Sequence, residues 1–102
     1  MNYRVTYTKT AVKQLKKLDS FTRSTILYWI DKNLANTSNP RQHGKGLTAN
    51  HSGEWRYRVG NYRILANIYD DEIVIEVFAV GHRKDIYKKR AARFAFLVSQ
   101  QK

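Results

Sequence analysis

A chain of 102 residues, 42% hydrophobic and 13% aromatic, supports a single compact domain over residues 1–102; it is too short for two cores and too apolar for disorder. Its 19 Lys and Arg against 8 Asp and Glu leave a net charge of +11, a self-repulsion that points to a polyanionic partner, with nucleic acid ahead of acidic protein. The lack of cysteine excludes a disulfide framework and thiolate metal sites, and no apolar run approaches the roughly 18 residues of a membrane span, so a soluble, cytoplasmic protein with no membrane partner is expected.

Residues Asn2 to Tyr7 alternate, with Tyr3, Val5 and Tyr7 on one side, and this predicts a half-buried strand. Thr8 then caps a short helix whose core face runs through Val12, Leu15 and Leu18, with Lys9, Lys13, Lys16 and Lys17 on the opposite surface. Asp19 or Ser20 opens a second helix to about Ala35, buried through Ile26, Trp29, Ile30 and Leu34. The two helices form a hairpin lying on a sheet, and Asn36 to Pro40 stop the second. Arg41 to Gly53 form a polar, glycine-rich loop anchored by Leu47. Lys45 and His51 in it are candidates for a phosphate contact, although such loops are commonly only solvated.

A three-stranded meander follows. Val59-Gly60-Asn61-Tyr62 has the pattern of a two-residue hairpin turn, with Gly60 at the first central position of type II′ geometry. That turn sets Arg58 opposite Arg63, Tyr57 opposite Ile64 and Arg56 opposite Leu65, so Arg56, Arg58 and Arg63 share one face and Trp55, Tyr57, Val59, Tyr62 and Ile64 the other. Opposed arginines repel, so an anion explains that face better than solubility does, with long Arg stems covering the sheet as the structural alternative. A turn near Asp70-Asp71 leads to a central strand, Ile73 to Val80, covered on both faces, and Gly81-His82-Arg83 ends it. A basic helix from about Asp85 to Ser99 completes an α+β fold of β-α-α-β-β-β-α order, a small antiparallel sheet with the helical hairpin on one face.

The strings Gly46-Leu47, G-x-W-R-x-R-V-G-x-Y-R from Gly53 to Arg63 and V-G-H-R-x-x-x-Y from Val80 to Tyr87 resemble the RelE family of bacterial and archaeal toxin–antitoxin systems. The resemblance implies a toxin that enters the ribosomal A site, cleaves the mRNA there without a metal or cofactor, and is held inactive by a cognate antitoxin. The 2′-hydroxyl attacks the adjacent phosphate, leaving a 2′,3′-cyclic phosphate. Motif matching carries the catalytic and phosphate-binding roles onto Arg56, Arg58, Arg63, Arg83 and Tyr87. Apart from the motif, Lys45, Lys84 and Arg90 are further candidate substrate-binding cations, and the basic surface is expected against ribosomal RNA.

Some relatives carry lysines where this chain has Arg56 and Arg58. Arginine stabilises charge but does not accept protons, so the base falls to Tyr87, in a cation cluster that favours its phenolate, or to His82, which is alternatively the general acid. Two rival readings stay open: a ParE-like inhibitor of DNA gyrase on the same fold, and a non-catalytic RNA-binding module. Phe94, Phe96 and Leu97 are candidate antitoxin contacts or ordinary core.

Overall fold

The structure, a computed structural model, describes residues 2–47 and 53–86. The expected C-terminal helix, its residues Phe94, Phe96 and Leu97, and the candidate site residues His51, Tyr87 and Arg90 lie outside the described residues. The elements run β1 (Arg4–Tyr7), α1 (Lys9–Lys17), α2 (Ser20–Asn33), β2 (Lys45–Gly46), β3 (Glu54–Val59), β4 (Tyr62–Tyr69) and β5 (Val74–His82).

Each helix begins where its cap dictates. The Thr8 side chain accepts the Ala11 N–H at 3.1 Å. At the start of α2 the Asp19 carboxylate takes both the N–H and the hydroxyl of Thr22, at 3.0 and 2.6 Å. The α1 stripe differs from expectation: Ala11 and Leu15 are buried, while Val12 is 37% exposed. Small Ala11 lets α1 lie close on β5, and the larger Val12 sits one residue round the helix, at the margin. In α2 the buried line is Ile26 and Ile30, continued by Leu34, with Trp29 packed beside it. The left-handed Asn36 (φ 64°) turns the chain out of the helix, a conformation asparagine tolerates. Among the described residues no helix is long and apolar enough to cross a membrane.

The strands form one sheet in the order β1-β5-β4-β3-β2. The β3–β4–β5 meander is antiparallel, but β1 lies parallel to β5 (Arg4 opposite Val74, Tyr7 opposite Val77), so the sheet is mixed rather than wholly antiparallel. β5 is an interior strand, yet β4 holds the centre. Gly81 does not break β5 either: the strand continues through it to His82, with Gly81 opposite Arg63.

A bulge in β5 sets the phase of its last residues. Leu65 faces Ala79 and Ala66 faces Val77, which leaves Phe78 as the extra residue. Val77 and Val80 can therefore both point into the core, although a regular strand would send them to opposite faces. α1 secures the bulge from above. Thr8 gives its N–H to the Val77 carbonyl (2.9 Å) and its hydroxyl to that of Phe78 (3.4 Å), and Gln14 Oε1 accepts the Val80 N–H (2.8 Å).

At the far edge of the core, Tyr57 is fully buried and donates its hydroxyl to the Pro40 carbonyl at 2.6 Å; burial pushes its pKa far upward, so it stays a neutral donor. A second tie is at the surface. Asp70 accepts the Tyr3 hydroxyl (2.7 Å) and both guanidinium arms of Arg41 (3.0 and 3.1 Å), joining the start of the chain, the loop after α2 and the β4–β5 turn. Arg41, and after it Tyr3, hold the Asp70 carboxyl below its ordinary 3.8. A depressed carboxylate stabilises the fold above its unfolded pKa and loses that contribution as pH falls through the lower folded value. Asp70→Asn should therefore lower stability at neutral pH and flatten the loss of melting temperature between about pH 5 and pH 2. The exposed bridge keeps both effects small. An acid limb as steep as in the wild type would show that Asp70 contributes nothing to it.

Candidate anion-binding site

The site is built on the β3–β4 hairpin. Gly60 adopts φ 59° and Asn61 stays at negative φ, as type II′ geometry requires, and the register is Val59 to Tyr62, Arg58 to Arg63 and Arg56 to Leu65. The alternation then places Arg56, Arg58 and Arg63 on the face away from the helices, while Tyr57 and Ile64 are buried beneath the hairpin. These arginines line a pocket of about 320 Å³ together with Gly44 and Lys45, room enough for a phosphodiester group.

Lys45 comes from β2, the short edge strand that the loop expectation missed. It pairs directly with Arg56, which adds a second like-charged opposition to that of Arg58 with Arg63. The segment from Pro40 to Gly46 is held on three sides. Tyr57 takes the Pro40 carbonyl, the Trp55 indole N–H takes that of His43 at 2.6 Å, and the Leu47 N–H reaches Glu54 at 3.1 Å. At Gly44 (φ 78°) a Cβ would overlap the Arg56 carbonyl, so only glycine lets the chain pass there. The signal in the sequence was G-K-G itself, two glycines flanking a lysine.

Arg63 gives one guanidinium nitrogen to the carbonyls of Gly60 and Tyr62, both at 3.0 Å, which fixes the side chain over the hairpin tip and leaves its other N–H groups for a ligand. Arg58 is exposed and makes no hydrogen bond or ion pair within the described residues. Arg83 is exposed at the same end of the sheet, its backbone N–H bonded to the Asn61 carbonyl at 2.8 Å. Lys84 is exposed in the following turn.

His82 is not brought to the arginines. It pairs with Tyr62, and the two rings meet edge to face at 5.4 Å on the helix side of the sheet. Its Nδ1 accepts the Lys84 N–H at 3.1 Å and so caps the turn after β5. The residue beside Arg63 is Gly81, and Ile86 folds back onto it: a Cβ on Gly81 would stand 3.2 Å from the Ile86 side chain, which is buried. The pocket thus concentrates fixed positive charge and planar bidentate donors, which bind and stabilise anions without moving protons.

Residues 5–87 match the family described as "ParE toxin of type II toxin-antitoxin system, parDE". The chain is 32% identical over 89 residues to Toxin RelG of Mycobacterium tuberculosis, covering 87% of this chain and 100% of that one. Its fold is similar to the toxin–antitoxin complex RelBE2 of M. tuberculosis, with a TM-score of 0.71 and 28% identity over 80% of this chain and 92% of the other. It also resembles a mutant of the E. coli toxin RelE in the free state, with a TM-score of 0.70 and 22% identity over 91% and 98% of the two chains.

Replacing Arg58 by Glu turns a repulsive cross-strand pair into an attractive one. Arg58→Glu should raise stability by about 0.2–1 kcal/mol in urea unfolding while weakening binding of a single-stranded RNA oligonucleotide. A gain in stability with unchanged RNA binding would remove Arg58 from the site.

Proposed function

The chain belongs to the ParE toxin family, within the RelE/ParE superfamily of type II toxins, and from the cation pocket on its β3–β4 hairpin we propose that it is a ribosome-dependent mRNA endonuclease. As a toxin of a type II system it has a cognate antitoxin as partner. The observation that carries the nuclease reading is the pocket, where Lys45, Arg56, Arg58 and Arg63 converge although two of their pairings are electrostatically unfavourable. A phosphodiester backbone relieves that repulsion, and an RNA bent at the hairpin tip places one phosphate between Arg63 and Arg83.

The reaction is a transesterification. The 2′-oxygen forms a bond to the adjacent phosphorus as its proton passes to a base. The bond to the 5′-oxygen breaks, and that oxygen takes a proton from water. Arg63 and Arg83 offset the negative charge that grows on the phosphoryl oxygens, and Arg56, Arg58 and Lys45 hold that phosphate or its neighbour. Tyr87 is the proposed base. The described chain reaches the arginine face at Ile86, one residue before it. His82, occupied with Tyr62 and Lys84 on the other side, is left with a structural role in this reading. A phenol of ordinary pKa, about 10, is rarely ionised at neutral pH, so rate depends on holding the 2′-hydroxyl in line, which a ribosome-bound mRNA provides better than a free one.

The match to the ParE toxin family favours a second reading, a gyrase-directed toxin without RNA chemistry. Primer extension on programmed ribosomes separates the two. Wild-type protein should cut at the A-site codon, and Arg83→Ala should lose about 10²- to 10³-fold in rate while still binding antitoxin. No cleavage by the wild type, with DNA damage that depends on gyrase, would replace the nuclease reading.

A further inference from the structure

We propose that Trp55 is a positioning residue of the anion pocket, holding Lys45 across from Arg56 through the backbone of His43 and Gly44. β2 is two residues long, lies at the sheet edge, and sets a lysine against an arginine. Two ladder residues do not hold a strand in place on their own, so something beyond the ladder must hold it. The 2.6 Å bond from the indole N–H to the His43 carbonyl acts immediately before Gly44 and Lys45.

The alternation explains the composition of the segment. Lys45 pairs with Arg56 and shares its pocket-facing side, whereas Gly46 pairs with Trp55 and shares the other. Gly44 also lies against the indole: a Cβ there would stand 2.9 Å from Nε1. G-K-G therefore clears one face for a tryptophan while presenting a cation on the opposite one. The indole is itself fixed, since the Arg41 guanidinium lies 5.8 Å from its ring centre and Arg41 is clamped by Asp70. The ring of His43 meets Trp29 edge-on at 5.8 Å, which ties the same backbone to α2. Trp55 thus links the core to a pocket wall that it never faces.

The positioning role rests on the pocket being an anion site, and one titration series separates the two. The probe is a fluorescein-labelled single-stranded oligo-deoxyuridine, which lacks the attacking hydroxyl, and its affinity is measured against salt concentration. Each lost phosphate contact lowers the slope of log affinity against log salt by about 0.7 for a single strand. Trp55→Phe keeps a ring and removes the donor; it should lower the slope by that amount, as Lys45→Ala does, and the double variant should fall no further. If Lys45→Ala lowers the slope and Trp55→Phe does not, the positioning role is wrong and the pocket stands. A Trp55→Phe variant that lowers the urea midpoint but leaves the slope intact overturns the positioning role in the same way. If Lys45→Ala leaves the slope unchanged, both the positioning role and the anion pocket fall.

Discussion

The phase of the sheet is the constraint on which this molecule turns. Side chains alternate strictly between faces, so a shift of one residue exchanges the core with the site. Two devices hold the phase. The Gly60 turn aligns β3 with β4, and the bulge at Phe78 aligns β4 with β5. α1 guards the second, because Thr8 and Gln14 satisfy the backbone groups around the bulge. Without the extra residue, Gly81 and His82 would exchange faces. The histidine would then turn to the arginine face, with Val80 opposite Arg63, and Ile86 would lose its seat on glycine. The helical hairpin thus shapes the far side of the sheet without touching it.

The arginine face is an electrostatic cost carried by the fold. Two like-charged cross-strand pairs each remove about 0.2–1 kcal/mol, a sizeable share of the stability of a small domain. The opposing contributions lie on the other face, where Tyr57, Ile64, Ala66, Val77 and Val80 pack against Ala11, Leu15, Ile26 and Ile30. A fully buried Ile or Val contributes about 1.5–3 kcal/mol, so the core outweighs the repulsion several times over. Stability and anion binding are therefore segregated by face: one side is packed for cohesion, and the other gathers the cations that line the pocket.

The edge of the sheet resolves the same conflict differently. β2 has almost no ladder of its own, yet the segment leading into it is held by Tyr57 and Trp55, side chains that belong to the core face. Arg41, Tyr3 and Asp70 extend that tie to the opposite end of the chain. A polar loop of the kind that is commonly only solvated is thereby converted into a wall of the pocket.

Much of this is written in local sequence. The hairpin register from Val59 to Tyr62, the grouping of Arg56, Arg58 and Arg63 on one face, the caps at Thr8 and at Asp19 or Ser20, and the α2 stripe follow from short-range geometry, where a single turn or a 3.6-residue period leaves little choice. The direction of β1, the place of Lys45 and the side taken by His82 do not follow from it. The parallel pairing of β1 depends on a partner some 70 residues away (Arg4 with Val74), and β2 depends on indole and phenol donors reached only after the chain has folded. His82 lies beside Arg83 in the chain and on the opposite face from the arginines in space, because one bulged residue reverses the alternation. Periodicity and turn chemistry in the sequence determined the arginine face. Tertiary structure decided which neighbours that face has, since bulges and edge strands are held by long-range hydrogen bonds that no local pattern encodes.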